Sequence, residues 1–240
     1  FISAIGGADL VVLSGAGVIT DAFLKNALGV LATLEMGIER RIPTAMFGQG
    51  FGPIISAELR SRAAQVLPRL NQIAIRESGA SLQVLDSLGV SRDRVIVTGD
   101  DAIELALAAR AGEPPALRPT NLDIGVNLRV AWYSGIGAEN FGVLREALRA
   151  ASRVHGARLV PIPIAHRDQL DMTALRELLA DIDADSFESA ESLNTPDRVI
   201  RRIGQCRIVV TGSYHAGVFA LSQGIPTVAL AGSGYYLDKM

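Results

Sequence analysis

His215 is the residue in this sequence best suited to acid–base chemistry. The run 207–211 predicts a strand, Gly212-Ser213-Tyr214 predicts a short turn, and His215 begins a predicted helix that reaches Gln223. Histidine changes charge near neutral pH, so it can both donate and accept protons. The start of a helix at the end of a strand also favours a bound anion such as phosphate. The alternative interpretation of His215 is a capping or packed histidine.

Three cations also follow predicted strands. Arg76 ends the predicted strand 73–76, Arg129 follows the predicted strand 124–127 and Leu128, and Lys239 stands in the loop after 227–230. Arginine in such a place can bind a carboxylate or phosphate through two parallel hydrogen bonds. An ordinary ion pair is the alternative for each arginine.

Four glycine-rich turns lie at the ends of predicted strands. Glycine permits positive φ and a close approach of the backbone to a ligand. A tight strand-to-helix turn is the alternative for each, and none matches the dinucleotide fingerprint or the P-loop motif. The candidate ligand contacts in these turns are Gly15, Gly17, Gly50, Ser213 and Tyr214.

The remaining histidines and the lone cysteine do not indicate a metal site. His155 lies at a predicted helix end, and His166 lies in a loop where it could contact an acceptor or simply face solvent. The spacing of three histidines and one cysteine fits no metal-ligand pattern, so we expect no metal. Asp100 and Asp101 are a weak magnesium candidate. A single cysteine excludes an internal disulfide and favours a reducing compartment, which predicts a cytoplasmic location.

Composition narrows the class of protein further. The chain has 240 residues, 49% of them hydrophobic, and a formal net charge of −2, so a nucleic-acid surface is not expected. No apolar run approaches the roughly 20 residues that span a bilayer. Peripheral membrane association and oligomerisation stay open. The start without methionine, directly before a predicted strand, predicts that the chain is a fragment lacking terminal elements.

Short apolar runs alternate with longer helical stretches, which is typical of α/β proteins with parallel sheets. A Gly- and Pro-rich stretch interrupts the alternation. We therefore predict two Rossmann-like halves, a domain at 1–112 and a domain at 123–240 carrying the histidine, joined by a linker at 113–122. Ligands in such folds bind at the carboxyl ends of the strands.

The ordered set of motifs resembles the polysaccharide pyruvyltransferase family. The main stretch is 209–230, with His215-Ala216 before an apolar helix and Gly224-Ile225-Pro226 before a strand. Further matches, in order, are Gly15-Ala16-Gly17, Gly48-Gln49-Gly50-Phe51-Gly52-Pro53, Arg76-Glu77, Leu88-Gly89-Val90, Thr98-Gly99-Asp100 and Asn127-Leu128-Arg129. Two positions depart from the family pattern: Ser213 replaces a basic residue, and Asp101 replaces a proline.

The resemblance implies a GT-B-like fold and transfer of a pyruvyl group from phosphoenolpyruvate to sugar hydroxyls of a cell-surface polysaccharide or glycan-lipid precursor. It implies that His215 is the acid/base group, that Arg76 and Lys239 hold phosphate and carboxylate, and that no metal or redox cofactor is needed. These three side chains are expected to meet in one crevice. Two alternatives stay open: a GT-B glycosyltransferase using a nucleotide sugar, which the architecture permits, and a non-catalytic binding relative, which Ser213 suggests.

Overall fold

Two four-stranded parallel sheets form the framework of the chain, one in each of two units, Phe1–Asp101 and Ala102–Met240. The computed structural model describes residues 2–15, 17–109, 122–131, 134–166, 170–180, 184–234 and 237. The division after Asp101 falls earlier than the predicted linker at 113–122. Most of that linker lies outside the described residues, so it stays a prediction.

The first unit alternates strands and helices in the order β1-β2-β3-β4, with every neighbouring pair parallel. Each strand lies beside the next one in the chain because the helix between them returns the backbone to the same edge. Its elements are α1 (Ile2–Gly6), β1 (Val11–Ser14), α2 (Leu24–Glu39), β2 (Thr44–Gln49), α3 (Ala57–Val66), β3 (Gln72–Ile75), α4 (Ala80–Ser87) and β4 (Val95–Val97).

One apolar core fixes the helices of the first unit on the sheet. Helix α2 buries Ala27, Leu31 and Leu34, which recur at the helical spacing of three to four residues. They pack with Met46 of β2 and Ile73 of β3. Full burial of aliphatic side chains of this size contributes about 1.5–3 kcal/mol each, so the helix is held mainly by this face.

The second unit has the strand order β6-β5-β7-β8, again all parallel. After β5 the chain forms β6 on one side of β5, and it then crosses to the other side to form β7 and β8. The order therefore reverses between β5 and β7, which makes this the topological switch point where ligands bind in such sheets. The elements are α5 (Ala102–Ala109), β5 (Ile124–Asn127), α6 (Phe141–His155), β6 (Leu159–Pro161), α7 (Leu170–Leu178), α8 (Ala184–Glu191), α9 (Pro196–Gly204), β7 (Ile208–Thr211), α10 (Tyr214–Leu221) and β8 (Thr227–Ala229).

Helices cover both faces of this second sheet, so β5 is buried along its whole length. One core cluster joins α5, α9 and α10 through residues such as Ala106, Ile200 and Phe219. The other joins α6 and α7 through Phe141 and Leu175. None of the described helices combines the length and apolar character that crossing a membrane requires.

The structure has the predicted alternation of strands and helices, with differences at four places. Helices α1, α5 and α8 were not expected, and the residues directly before α2 form a 3-10 turn at Asp21–Phe23. Thr20 caps this turn by accepting a hydrogen bond from the N–H of Ala22. Local hydrogen bonding of this kind competes with a regular helix start.

Asp21 ties this turn to the loop before α3. Its carboxylate accepts hydrogen bonds from the N–H groups of Ile55 and Ser56 and from the Ser56 hydroxyl. Burial by itself raises the pKa of Asp21, but the hydrogen bonds from the Ser56 hydroxyl and the two N–H groups outweigh it and lower the pKa below its usual 3.8. A lowered pKa in the folded state stabilises the protein at pH values above 3.8, and this contribution is lost as the pH falls through the folded value.

We expect Asp21→Asn to reduce the free energy of unfolding at neutral pH by about 1 kcal/mol, because a charged acceptor is lost at a partly exposed position. Urea unfolding at a series of pH values measures the effect. The difference from the wild type should shrink as the pH drops below the usual aspartate pKa. Asp9→Asn, at an exposed position, serves as the matched control. A pH-independent difference would contradict this account of Asp21.

Candidate functional site

The carboxyl ends of β5 and β7 are joined by polar side chains at the switch point. The Thr211 hydroxyl donates to Asn127 Oδ1 at 3.1 Å, and both side chains are buried. The N–H of Ser213 donates to Thr211 Oγ1 at 2.8 Å, and the N–H of Gly212 donates to the Asn127 carbonyl at 3.1 Å. These bonds fix the turn that leads into α10.

His215 is the second residue of α10 and is exposed. Its ring meets Tyr214 edge-on, with centroids 5.5 Å apart, and Phe219 at 6.4 Å. Ser213, at the N-cap position, is only 3% exposed, while Tyr214 is half-buried. The fixed turn therefore presents the imidazole to solvent at the switch point, and His215 is not a packed core histidine.

A buried carboxylate, Asp171 on α7, holds the neighbouring loop. Its Oδ2 accepts from Asn127 Nδ2 at 3.2 Å and from the N–H groups of Ile164 and Ala165 at 2.9 Å each. Its Oδ1 forms an ion pair with Arg129 at 3.2 Å, and the Arg129 side chain is 14% exposed. Asp171 thus connects the end of β5 with the loop after β6.

His166 and His215 line one apolar pocket of the second unit. The pocket has a volume of about 300 Å³, and its walls include Leu105 of α5, Val199 of α9 and Phe219 of α10. His166, predicted to contact an acceptor or to face solvent, is exposed at the end of the loop held by Asp171. The imidazole of a loop residue, His166, and that of His215 at the start of α10 therefore line one small cavity.

In the first unit, Arg76 follows β3, and its guanidinium lies against two glycines. A Cβ on Gly50 would lie 2.6 Å from Nε and Nη2 of Arg76, and one on Gly17 would lie 3.1 Å from Nη2. Nη1 forms an ion pair with Asp100 at 3.5 Å, and the Arg76 side chain is 11% exposed. The absence of side chains at Gly17 and Gly50 makes room for this guanidinium. The sequence alone does not show that these two glycines contact Arg76.

The Asp101 carboxylate fills the corresponding space beside Gly48 of β2 and Gly15 after β1. Gly48 has a φ of +59° and Gly15 a φ of +38°, and a Cβ on them would lie 2.5 Å and 3.5 Å from the Asp101 carboxylate. The glycines predicted as ligand contacts thus accommodate charged side chains of the protein itself. Both arginines predicted to clamp a ligand also form ion pairs, which the sequence left as the alternative.

The other predicted residues have plainer surroundings or lie elsewhere. His155 is exposed at the end of α6, before Gly156 in the left-handed conformation. Burial raises the pKa of the Cys206 thiol to about 11, so it stays protonated and is a poor nucleophile.

Lys239 lies outside the described residues, so its predicted meeting with Arg76 and His215 stays a prediction. In the described part of the chain, no three histidine, cysteine, aspartate or glutamate side chains are placed to hold a metal ion.

No role was predicted from the sequence for Asp171, Thr211 or Leu105. A polar residue at the carboxyl end of an apolar strand is a signal for Thr211, as it is for Asn127. Nothing in the local sequence of α5 indicates that Leu105 belongs to a pocket with His215.

The fold belongs to the class of α/β proteins with two parallel sheets of the GT-B kind. Two solved structures with this fold are UDP-GlcNAc 2-epimerases. For the enzyme from Neisseria meningitidis bound to UDP-GlcNAc, the TM-score is 0.61 at 14% identity, covering 99% of this chain and 65% of that one. For the enzyme from Methanocaldococcus jannaschii, the TM-score is 0.57 at 12% identity, covering 95% and 64%. The chain thus spans less than two thirds of the length of these structures.

The family model for polysaccharide pyruvyl transferase matches residues 2–234, nearly the whole chain. The chain therefore belongs to the polysaccharide pyruvyl transferase family, as its motifs predicted. No curated protein sequence is similar enough to count as a match.

We expect Asp171→Ala to lower the free energy of unfolding by about 3–5 kcal/mol, because it leaves the mostly buried Arg129 without its counter-charge. The exposed pair of Asp197 with Arg201 on α9 is the control, and Asp197→Ala should cost less than about 1 kcal/mol. Guanidinium unfolding of both variants measures the two losses. Equal losses would contradict the structural role assigned to Asp171.

Proposed function

We propose that the chain transfers a pyruvyl group from phosphoenolpyruvate to sugar hydroxyls of a cell-surface polysaccharide or glycan-lipid precursor, with His215 as the acid/base residue. The observation that carries the proposal is the exposed imidazole of His215 at the switch point of the second sheet, in a chain of the pyruvyl transferase family. The proposed reaction needs no resident metal or redox cofactor, and we place it in the cytoplasm.

The chemistry requires a group that moves protons near neutral pH. Protonation of the methylene carbon of phosphoenolpyruvate makes C2 electrophilic, a sugar hydroxyl attacks C2, and phosphate leaves. Histidine suits such proton transfers because its unperturbed pKa lies near 6.5. The exposed imidazole of His215 is accessible to substrate, and the turn before it is fixed by Asn127 and Thr211.

The donor carries a phosphate and a carboxylate, so it needs cations. We assign Arg76 to one of these groups because its guanidinium is nearly buried and held in a fixed position by Asp100, Gly17 and Gly50. A fixed guanidinium loses less conformational entropy on binding a planar or tetrahedral anion than a mobile one. Arg129, held by Asp171 beside Gly212, and Lys239 are the other cations of the proposal.

His215→Gln should lower kcat/KM for pyruvyl transfer by about two to four orders of magnitude, since an acid/base group contributes that much. Phosphate release and ketal formation with methyl glycosides as acceptors measure the rate. His155→Gln, at the exposed end of α6, should leave the rate unchanged. Wild-type turnover in the His215 variant would remove the acid/base assignment.

The two alternatives are separated by calorimetric titration of the wild type. Binding of phosphoenolpyruvate supports the proposal. Tight binding of a UDP-sugar without binding of phosphoenolpyruvate would favour a nucleotide-sugar transferase. Phosphoenolpyruvate affinity without any turnover, unchanged in the His215 variant, would favour a non-catalytic binding protein.

Gly50→Ala should raise the KM for phosphoenolpyruvate roughly tenfold, because the added Cβ displaces the Arg76 guanidinium and weakens a charge-assisted hydrogen bond. Gly29→Ala in α2 is the control, since a Cβ there meets nothing within 4 Å. Steady-state kinetics at varied donor concentration measures both variants. An unchanged KM in the Gly50 variant, with its fold intact by circular dichroism, would argue against donor binding by Arg76.

A further inference from the structure

We propose that the apolar pocket lined by His166 and His215 binds the sugar ring of the acceptor, and that His166 is a second proton-transfer residue. This proposal rests on the proposed function, whose donor chemistry it extends to the acceptor. It assigns a role to a loop histidine that the sequence left open between acceptor contact and solvent exposure.

The size and lining of the pocket fit one pyranose ring. Its volume of about 300 Å³ lies at the lower end of the range for small-molecule sites. Leu105, Val199 and Phe219 form apolar walls, against which the C–H face of a sugar ring can pack. The exposed Asn194 and Thr195 also line the pocket, and their side-chain oxygens accept hydrogen bonds from Arg198.

His166 is held in place although it is exposed. The N–H groups of Ile164 and Ala165, directly before it, both donate to the buried Asp171 carboxylate at 2.9 Å. The N–H of Ile162 donates to the carbonyl of Val126 on β5 at 2.8 Å. Four residues of backbone before His166 are therefore anchored to the end of β5 and to α7. A histidine on an anchored loop can hold a fixed position relative to a ligand, which a freely moving one cannot.

Two histidines match the two hydroxyl protons that ketal formation removes and the two protons that it delivers, one to the methylene carbon and one to phosphate; His166 starts neutral and His215 starts protonated. In the first step, the acceptor hydroxyl gives its proton to His166 and bonds to C2, while His215 protonates the methylene carbon to a methyl group. In the second step, the C2–O bond to phosphate breaks, and a second hydroxyl bonds to C2 and returns a proton to His215. Protonated His166 then gives its proton to the departing phosphate. Both imidazoles end in their starting states, and no other reactant is consumed.

The apolar walls give the pocket a further role in the same step. The C2 centre that forms when phosphate leaves reacts with any hydroxyl, including water. Walls of Leu105, Val199 and Phe219 that pack on a sugar ring exclude water from that centre. Occupation of the pocket should therefore direct the pyruvyl group to sugar.

Sugar binding can be followed directly, because the chain has only three histidines. Methyl glycosides of glucose, galactose and mannose are added to the wild type up to their solubility limits, and the histidine ring signals are recorded in ¹H–¹³C NMR spectra. At least one glycoside should shift the ring signals of His166 and His215 and leave His155 unshifted, with signals assigned from the three His→Gln variants. Shifts at neither pocket histidine would overturn the assignment of the pocket to the acceptor.

Kinetics of transfer tests the role of His166. His166→Gln should lower kcat by about two to four orders of magnitude, leave the KM for phosphoenolpyruvate unchanged, and remove one limb of the pH profile of kcat/KM. His155→Gln should change none of these. A His166 variant with wild-type kcat and pH profile would overturn the second proton-transfer role.

The pocket wall is tested with two exposed leucines of α5, of which only Leu105 lines the pocket. Leu105→Ala should raise the KM for the glycoside and the amount of pyruvate formed per ketal, whereas Leu107→Ala should do neither. Equal behaviour of the two variants would overturn water exclusion by this wall.

The inference and the proposed function fail separately. If the wild type forms no ketal although glycosides shift both histidines, the proposed function and the proton-transfer role fail and the sugar site stands.

Discussion

A buried negative charge, the carboxylate of Asp171, holds together the end of β5 and the loop after β6 in the second unit. A buried carboxylate is stable only when hydrogen bonds and a counter-charge replace the water it has lost. Asn127, Arg129 and the N–H groups of the loop after β6 supply these partners. Meeting this requirement fixes the end of β5, the loop that carries His166 and, through Asn127 and Thr211, the turn that carries His215. A structural constraint thus sets the positions of both candidate proton-transfer groups.

In the first unit, glycines make room for charged side chains. Arg76 and Asp101 bring opposite charges to the carboxyl end of the sheet, and a side chain on Gly50 or Gly48 would occupy their space. The pairing of Gln49 with Ile75 places Gly50 beside Arg76, so the register of β2 and β3 determines this contact. The glycines of this region therefore make room for the side chains of Arg76 and Asp101. A ligand at this edge of the sheet would contact the Arg76 guanidinium.

The sequence predicted the strands, most of the helices and the family, because alternating apolar runs and strand-end motifs are local features. Helix α5 was missed, since its sequence AIELALAA is apolar on nearly all sides and has no clear amphipathic period. The pocket was missed for a different reason. It joins residues of α5, α9 and α10 that are far apart in the chain, and only the packing of these helices brings Leu105 and Val199 to His215. The ion pairs of Arg76 and Arg129 were considered, but their partners Asp100 and Asp171 required the fold.

Ser213 can be understood from its surroundings. The family pattern has a basic residue at this position, yet here the position is 3% exposed and its N–H is bound to Thr211. A charge placed there would have to be desolvated or would have to extend past the turn, which costs free energy. The backbone of Arg129 lies against the same turn, since a Cβ on Gly212 would be 3.0 Å from the Arg129 backbone nitrogen. The Arg129 guanidinium forms an ion pair with Asp171. The small residue at Ser213 thus lets the turn pack closely on the residues that follow β5.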